Sequence, residues 1–137
     1  MNPIFSSNEN RHWMLVDDNA ELLTMLSVLM SGLTDATIEC HESPQSALAA
    51  FAAAPHRYEL VITDFEMPDM DGVELCRRLR AIMPAQKVFL ATGSGFFTER
   101  AVGHLGFSAL LNKPFSMAVL QEKLAAAGLL HEAAHDL

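Results

Sequence analysis

Five short apolar runs, separated by stretches long enough for a helix, constrain this chain more than any other feature. They occupy residues 12–17 (HWMLVD), 36–41 (ATIECH), 59–64 (ELVITD), 87–92 (KVFLAT) and 108–112 (SALLN). The second to fifth recur at roughly 20–28 residues, room for a helix and two loops between neighbours. The intervening sequence reads as helix. Leu22, Leu26, Leu29 and Leu33 follow the i, i+4, i+7 rule, with Glu21, Thr24 and Ser27 facing the other way. Ser43-Pro44 supplies an N-cap followed by proline at the first helical position, and Pro55 follows that helix. Asp71-Gly72 opens a third helix with Leu75, Leu79 and Ile82 on one face, and Pro84 closes it. Ser116 caps a last one, with Leu120 and Leu124 inward and Glu122 and Lys123 outward. Residues 96–105 are the least regular helix, because Gly103 and Gly106 interrupt them.

This alternation predicts an α/β fold of (βα)₅ type. A mainly parallel five-stranded sheet carries helices on both faces, joined by right-handed crossovers. At 137 residues and 50% hydrophobic, the chain can bury one real core and has little room for a second. The domain is expected over residues 12–127, with an extension at 1–11, a tail at 128–137 and no attached output domain. Seventeen acids against nine bases, a formal charge of −8, argue against direct DNA binding. No apolar run approaches the roughly 20 residues of a membrane span. The first 11 residues hold no signal-peptide core, so a cytoplasmic location without membrane contact is expected. Cys40 and Cys76 lie outside any C-x-x-C and read as two buried thiols.

In a doubly wound sheet, chemistry sits beyond the carboxyl ends of the strands. Those ends carry Asp17-Asp18 after the first strand, Asp64 after the third, Thr92 after the fourth and Lys113 after the fifth. Any one alone would pass for a loop cap. Together at one edge they suggest a site. Three carboxylates in one crevice repel each other and call for a compensating cation. Magnesium, a hard ion that takes oxygen ligands, suits such a set, with manganese as the alternative. A lysine and a small hydroxyl beside it fit phosphoryl transfer, where positioning and charge neutralisation do most of the work. The one reactive nucleophile available is a carboxylate, so the product would be an aspartyl phosphate.

These residues resemble the receiver domain of two-component response regulators over residues 12–127. The matching motifs are LVDDN (15–19), DFEMPDMDG (64–72), ATG (91–93) and NKPF (112–115). The resemblance implies a flavodoxin-like three-layer sandwich of strand order 2-1-3-4-5, the order for which a chemotaxis member of this family serves as the type example. It also implies roles by position. Asp64 would accept the phosphoryl group. Asp18 and Asp64 would bind magnesium directly, Asp17 mainly through water, and Glu66 through its backbone carbonyl. Thr92 would bond the attached phosphoryl group, Lys113 would pair with it, and Gly93 would leave room beside it. The Lys113-Pro114 bond would be cis.

Two departures stand out. Receivers often place Tyr or Phe three residues before the lysine, where this chain has Leu110, which has no ring to swing. The switch could instead run through backbone movement of the fourth helix, with Phe96 or Phe97 reporting, or both rings could simply pack. Glu66 and Ser94, two residues beyond Asp64 and Thr92, flank the path of the attacking water in the family and tune the phosphoryl lifetime. At residues 131–135, HEAAH is a literal H-E-x-x-H zinc motif. Only two residues follow it, with no downstream third ligand in the usual place, so it reads as a polar tail. Arg77, Arg78 and Arg80 read as a solvated helix face, and His12, His41, His56 and His104 as ordinary strand-end or surface residues.

The expected function is a stand-alone phosphorylation switch. A sensor histidine kinase or histidine phosphotransfer protein would load Asp64. The face built from the fourth helix, fifth strand and fifth helix would then control a downstream effector, as monomer or phosphorylation-dependent dimer. The domain would catalyse only its own phosphorylation and dephosphorylation. Two alternatives remain at this level: a receiver-like binding module that works without phosphorylation, and a metal-dependent hydrolase.

Overall fold

Among the described residues, every α-helix begins where a short polar side chain takes over an orphan backbone N–H. Asn19 accepts from the Leu22 N–H, Ser43 from Ser46, Asp71 from Glu74, Thr98 from Ala101 and Ser116 from Val119. Each such cap contributes about 1 kcal/mol and fixes where its helix starts. In the computed structural model, which describes residues 11–130, the elements alternate regularly. They are β1 (His12–Val16), α1 (Ala20–Ser31), β2 (Thr37–His41), α2 (Pro44–Ala53), a 3₁₀ turn (Pro55–Arg57), β3 (Tyr58–Asp64), α3 (Gly72–Ile82), β4 (Val88–Thr92), α4 (Glu99–His104), β5 (Ala109–Asn112) and α5 (Met117–Ala126). The strands form one parallel sheet of order β2-β1-β3-β4-β5.

Side chains alternate across the sheet, as the strand period of two requires. Trp13, Leu15, Ile62, Phe89 and Leu111 face one side, where α1 and α5 cover them with Leu23, Leu26, Met30, Leu120 and Leu124. Met14, Val16, Val61, Leu90 and Leu110 face the other, under Ala47 and Phe51 of α2, Leu75 and Leu79 of α3, and Val102 of α4. No helix among the described residues is long and apolar enough to cross a membrane.

Several local expectations need correction. The inward stripe of α1 is Leu23, Leu26 and Met30, whereas Leu29 is 39% exposed and Leu33 lies beyond the helix end. A leucine count alone overlooked Met30, which packs as well as leucine does. The fourth helix starts three residues later than the expected residue 96, because Thr98 caps it. Gly103 sits inside it, and Gly106 at φ +99° follows its end. Cys76 is buried, but Cys40 on the outer strand β2 is exposed. Arg80 leaves the solvated face and donates to the Gln86 carbonyl at 2.9 Å, while Arg77 and Arg78 remain outside, paired with Glu74. The HEAAH segment lies outside the described residues.

Candidate functional site

The strand order puts β1 and β3 side by side at the middle of the sheet, so their carboxyl ends open at one place. Asp17 and Asp18 follow β1, and Asp64 ends β3. Their carboxylate oxygens all lie within 4.8 Å of one another. Asp17 is 4% exposed, Asp64 is half-buried and Asp18 faces solvent. Lys113 comes from the loop after β5 and bridges two of them. Its Nζ donates to Asp17 Oδ2 at 2.8 Å and to Asp64 Oδ1 at 3.1 Å. The Lys113-Pro114 peptide is cis, and the Lys113 N–H donates to the Thr92 carbonyl at 2.8 Å, tying this loop to the end of β4.

Two residues hold the acids in place. The Asn19 N–H donates to Asp17 Oδ1 at 2.9 Å, so the residue that caps α1 also fixes the carboxylate before it. Gly72, the first residue of α3, packs directly on the backbone of Asp64. A Cβ there would lie 2.3 Å from the Asp64 carbonyl oxygen, so only glycine permits the approach. The Gly72 N–H also donates to the Phe65 carbonyl at 2.8 Å, closing the loop that follows Asp64. The sequence places Gly72 at a helix start and at the end of the DFEMPDMDG motif, with no packing role. The close approach depends on how α3 meets the sheet, and the one trace of it in the sequence is the Asp-Gly step itself.

Burial pushes the Asp64 carboxyl above its ordinary value; the Lys113 hydrogen bond pulls it down, and the Asp17 charge pushes it up again. Burial works against the Lys113 ammonium, but the bonds and charges of Asp17 and then Asp64 outweigh it, and its pKa is raised. Three carboxylates against one ammonium leave a formal charge of −2 when all are ionised. That deficit, with oxygen donors converging from two strand ends, fits a hard divalent cation.

The other predicted residues divide. Thr92 is buried at the end of β4, and its hydroxyl bonds to Ser94 rather than to the acids. Glu66 is exposed, and its carboxylate is not one of the three that converge. A Cβ at Gly93 would meet nothing closer than Lys113 Cβ at 3.9 Å, an ordinary contact. Leu110 is buried under the α2–α3–α4 layer. Phe97 is half-buried, with its ring edge-on to Phe65 at 4.8 Å, while Phe96 stands out at 82% exposure. Beside Lys113 an apolar groove of about 370 Å³ runs between α1 and the start of α5, lined by Leu22, Met25, Leu29, Phe115 and Met117.

A second polar cluster escaped the sequence reading. Between β2 and the start of β3, Glu39 accepts from the Tyr58 hydroxyl at 2.8 Å and lies 2.7 Å from His41 Nε2. His41 Nδ1 in turn lies 2.6 Å from Ser46 Oγ on α2. Two histidines read as ordinary strand-end residues therefore differ: His41 is bonded at both ring nitrogens, whereas His12 Nδ1 is buried without a partner.

Comparison with known proteins agrees with this geometry. The model of the response regulator receiver domain family matches residues 14–125. The chain is 34% identical over 95 residues to the sensor protein EvgS of Escherichia coli K12, covering 69% of this chain and 8% of that protein. It is 32% identical over 108 residues to "Probable transcriptional regulatory protein SilR" of Salmonella typhimurium, covering 78% of this chain and 46% of that one. The chain thus spans less than half the length of either relative. Among solved structures, a response regulator receiver domain protein from Clostridium thermocellum superposes with a TM-score of 0.79 at 23% identity, covering 85% and 93% of the two chains.

Proposed function

The chain belongs to the response regulator receiver domain family of two-component signalling, and on that premise we propose that Asp64 is its phosphoacceptor. The observation that carries this reading is the Asp64 carboxylate at the end of β3, held by Lys113 and flanked by Asp17 and Asp18. In the transfer, an Asp64 oxygen bonds to phosphorus as the N–P bond of a donor phosphohistidine breaks. The bonding pair returns to the ring nitrogen, which takes up a proton. Lys113, already 3.1 Å from Asp64 Oδ1, is placed to pair with the added oxygens. Asp18 and Asp64 would hold magnesium (or manganese) directly, with Asp17 through water and the Glu66 carbonyl completing the set. When bound, the ion offsets the negative charge that otherwise repels the incoming phosphoryl group.

The donor is a sensor histidine kinase or a histidine phosphotransfer protein. The apolar groove beside Lys113 supports its docking there, since it brings a partner within reach of Asp64. Attachment adds about −1.5 to −2 charges at the strand ends. Thr92 and Lys113 re-form around that charge and bias the α4–β5–α5 face, which an effector reads. Hydrolysis, tuned by Glu66 and Ser94 at the edge of the site, resets the domain.

The test is direct. Incubation with Mg²⁺ and acetyl phosphate adds the mass of one phosphoryl group to the wild-type chain and none to Asp64→Ala. A wild-type chain that stays unmodified, and that also fails to bind beryllofluoride, would remove the phosphoacceptor reading.

A further inference from the structure

Leu110 is 3% exposed in the core and has no ring to swing, so a movement of Thr92 has to be felt elsewhere. The loop between β4 and α4 is connected for it. Thr92 Oγ1 donates to Ser94 Oγ at 3.3 Å and accepts from the Ser94 N–H at 3.2 Å. Ser94 Oγ also accepts from the Phe96 N–H at 3.1 Å. The Phe96 ring then stands edge-on to Phe97, with centroids 5.4 Å apart at 90°. Phe97 stands edge-on to Phe65 at 4.8 Å, and Phe65 is the residue after Asp64. The loop is therefore tied twice to the site: by hydroxyls to the end of β4 and by rings to the end of β3. Gly95, at φ +68° with nothing within 4 Å of where a Cβ would sit, gives it room to rearrange.

We propose that Ser94 is a positioning residue that couples Thr92 to Phe96, so that phosphorylation of Asp64 releases the Phe96–Phe97 pair from its resting arrangement. The inference rests on the phosphoacceptor reading above. A hydroxyl carries one proton to donate. In the resting structure Thr92 gives that proton to Ser94. When it gives the proton to a phosphoryl oxygen, it cannot also give it to Ser94, and by turning it removes the acceptor of the Ser94 N–H. Ser94 loses both of its bonds to Thr92, so the hydroxyl that accepts from the Phe96 N–H is no longer held from the β4 side. Ser94 and Phe96 are exposed, so water replaces what is lost and the two states stay close in free energy. A small bias at the site can then shift the loop. Phe96, at 82% exposure, carries the change on the surface next to α4. The moving ring sits on the loop, and the core position that lacks it is filled by leucine.

The experiment follows the Ser94 and Phe96 amides by NMR water-exchange rates, with and without Mg²⁺ and beryllofluoride, alongside intact mass after acetyl phosphate. In the wild-type chain the Phe96 amide exchanges roughly fivefold to tenfold faster with beryllofluoride, the loss of one hydrogen bond. In Ser94→Ala it exchanges at that faster rate from the outset and does not respond further. Ser94→Thr, which keeps the hydroxyl, restores the slow rate and the response. If the phosphoryl mass is gained while the Phe96 amide stays unchanged, the coupling is wrong and the phosphoacceptor reading survives. If Ser94→Ala shows the same two rates as wild type, Ser94 is not the coupler. If neither mass nor beryllofluoride response appears, both readings fall together.

Discussion

Replacing Gly72 with alanine tests whether α3 sets the position of Asp64. The added Cβ would sit 2.3 Å from the Asp64 carbonyl oxygen, 3.2 Å from its carbonyl carbon and 3.2 Å from Leu90 Cδ1. Real Cβ contacts essentially never fall under 3.0 Å, so something must move by at least 0.7 Å, the difference between 3.0 and 2.3 Å. The nearest atom belongs to the backbone of a strand paired on both sides, and it cannot step aside as a flexible side chain would. Overpacking of this kind costs about 1–3 kcal/mol, and a backbone clash belongs at the upper end. With a urea m-value of about 1–2 kcal/mol/M, a cost of about 2–3 kcal/mol lowers the unfolding midpoint by roughly 1–3 M. Because the displaced atom is on the proposed acceptor residue itself, phosphoryl uptake from acetyl phosphate should slow by up to ~100-fold. Gly93→Ala is the matched control, since its Cβ meets only Lys113 Cβ at 3.9 Å. It should stay within about 0.5 kcal/mol of wild type. Equal midpoints for the two variants would refute the packing argument, and a destabilised Gly72→Ala that takes up phosphoryl at the wild-type rate would refute the link to Asp64.

Lys113→Met leaves Asp17 and Asp64 facing each other without their shared cation, and should cost about 1–3 kcal/mol in metal-free buffer, a range discounted for partial exposure. Added Mg²⁺ should raise the melting temperature of this variant at least as much as that of wild type, and a lost Mg²⁺ response would contradict the charge argument. Tyr58→Phe removes the 2.8 Å bond to Glu39 and should cost about 1–2 kcal/mol at neutral pH. Burial works against the Glu39 charge, but the bonds from His41 and Tyr58 outweigh it, and its pKa falls below the usual 4.5. Its stabilisation is therefore present above that value and fades as pH drops through the lower, folded-state value. The Tyr58→Phe penalty should shrink in urea titrations at acid pH, and a penalty that grows there would overturn the assignment.

What could be read in advance follows from where information sits along the chain. An apolar run that ends in Asp17, Asp64 or Thr92 states both the strand and the residue at its mouth, so the acidic cluster emerged from strand ends alone. The caps were equally local: Ser43, Asp71 and Ser116 each bond a backbone N–H three residues on. Features that depend on register were not legible. The Glu39–Tyr58–His41 cluster exists because β1 sits between β2 and β3, with Met14 opposite Glu39 and His12 opposite Tyr58. The rotation of α1 was misjudged because Met30 and Leu23 compete with Leu29 and Leu22 for the same face, and packing against the sheet decides between them.

The lysine clamp has a consequence for how the chain matures. Lys113 bonds Asp17 across 96 residues of sequence and Asp64 across 49, through strands that are not adjacent in the sheet. Contacts of such separation cost the most chain entropy to close and are expected late in folding. A chain still emerging from the ribosome, or one cut before β5, can hold the acids on β1 and β3 but not the ammonium that organises them. On the proposed role of Asp64, competence to take a phosphoryl group and completion of the sheet would then arrive together, and an unfinished copy would be silent rather than wrongly active.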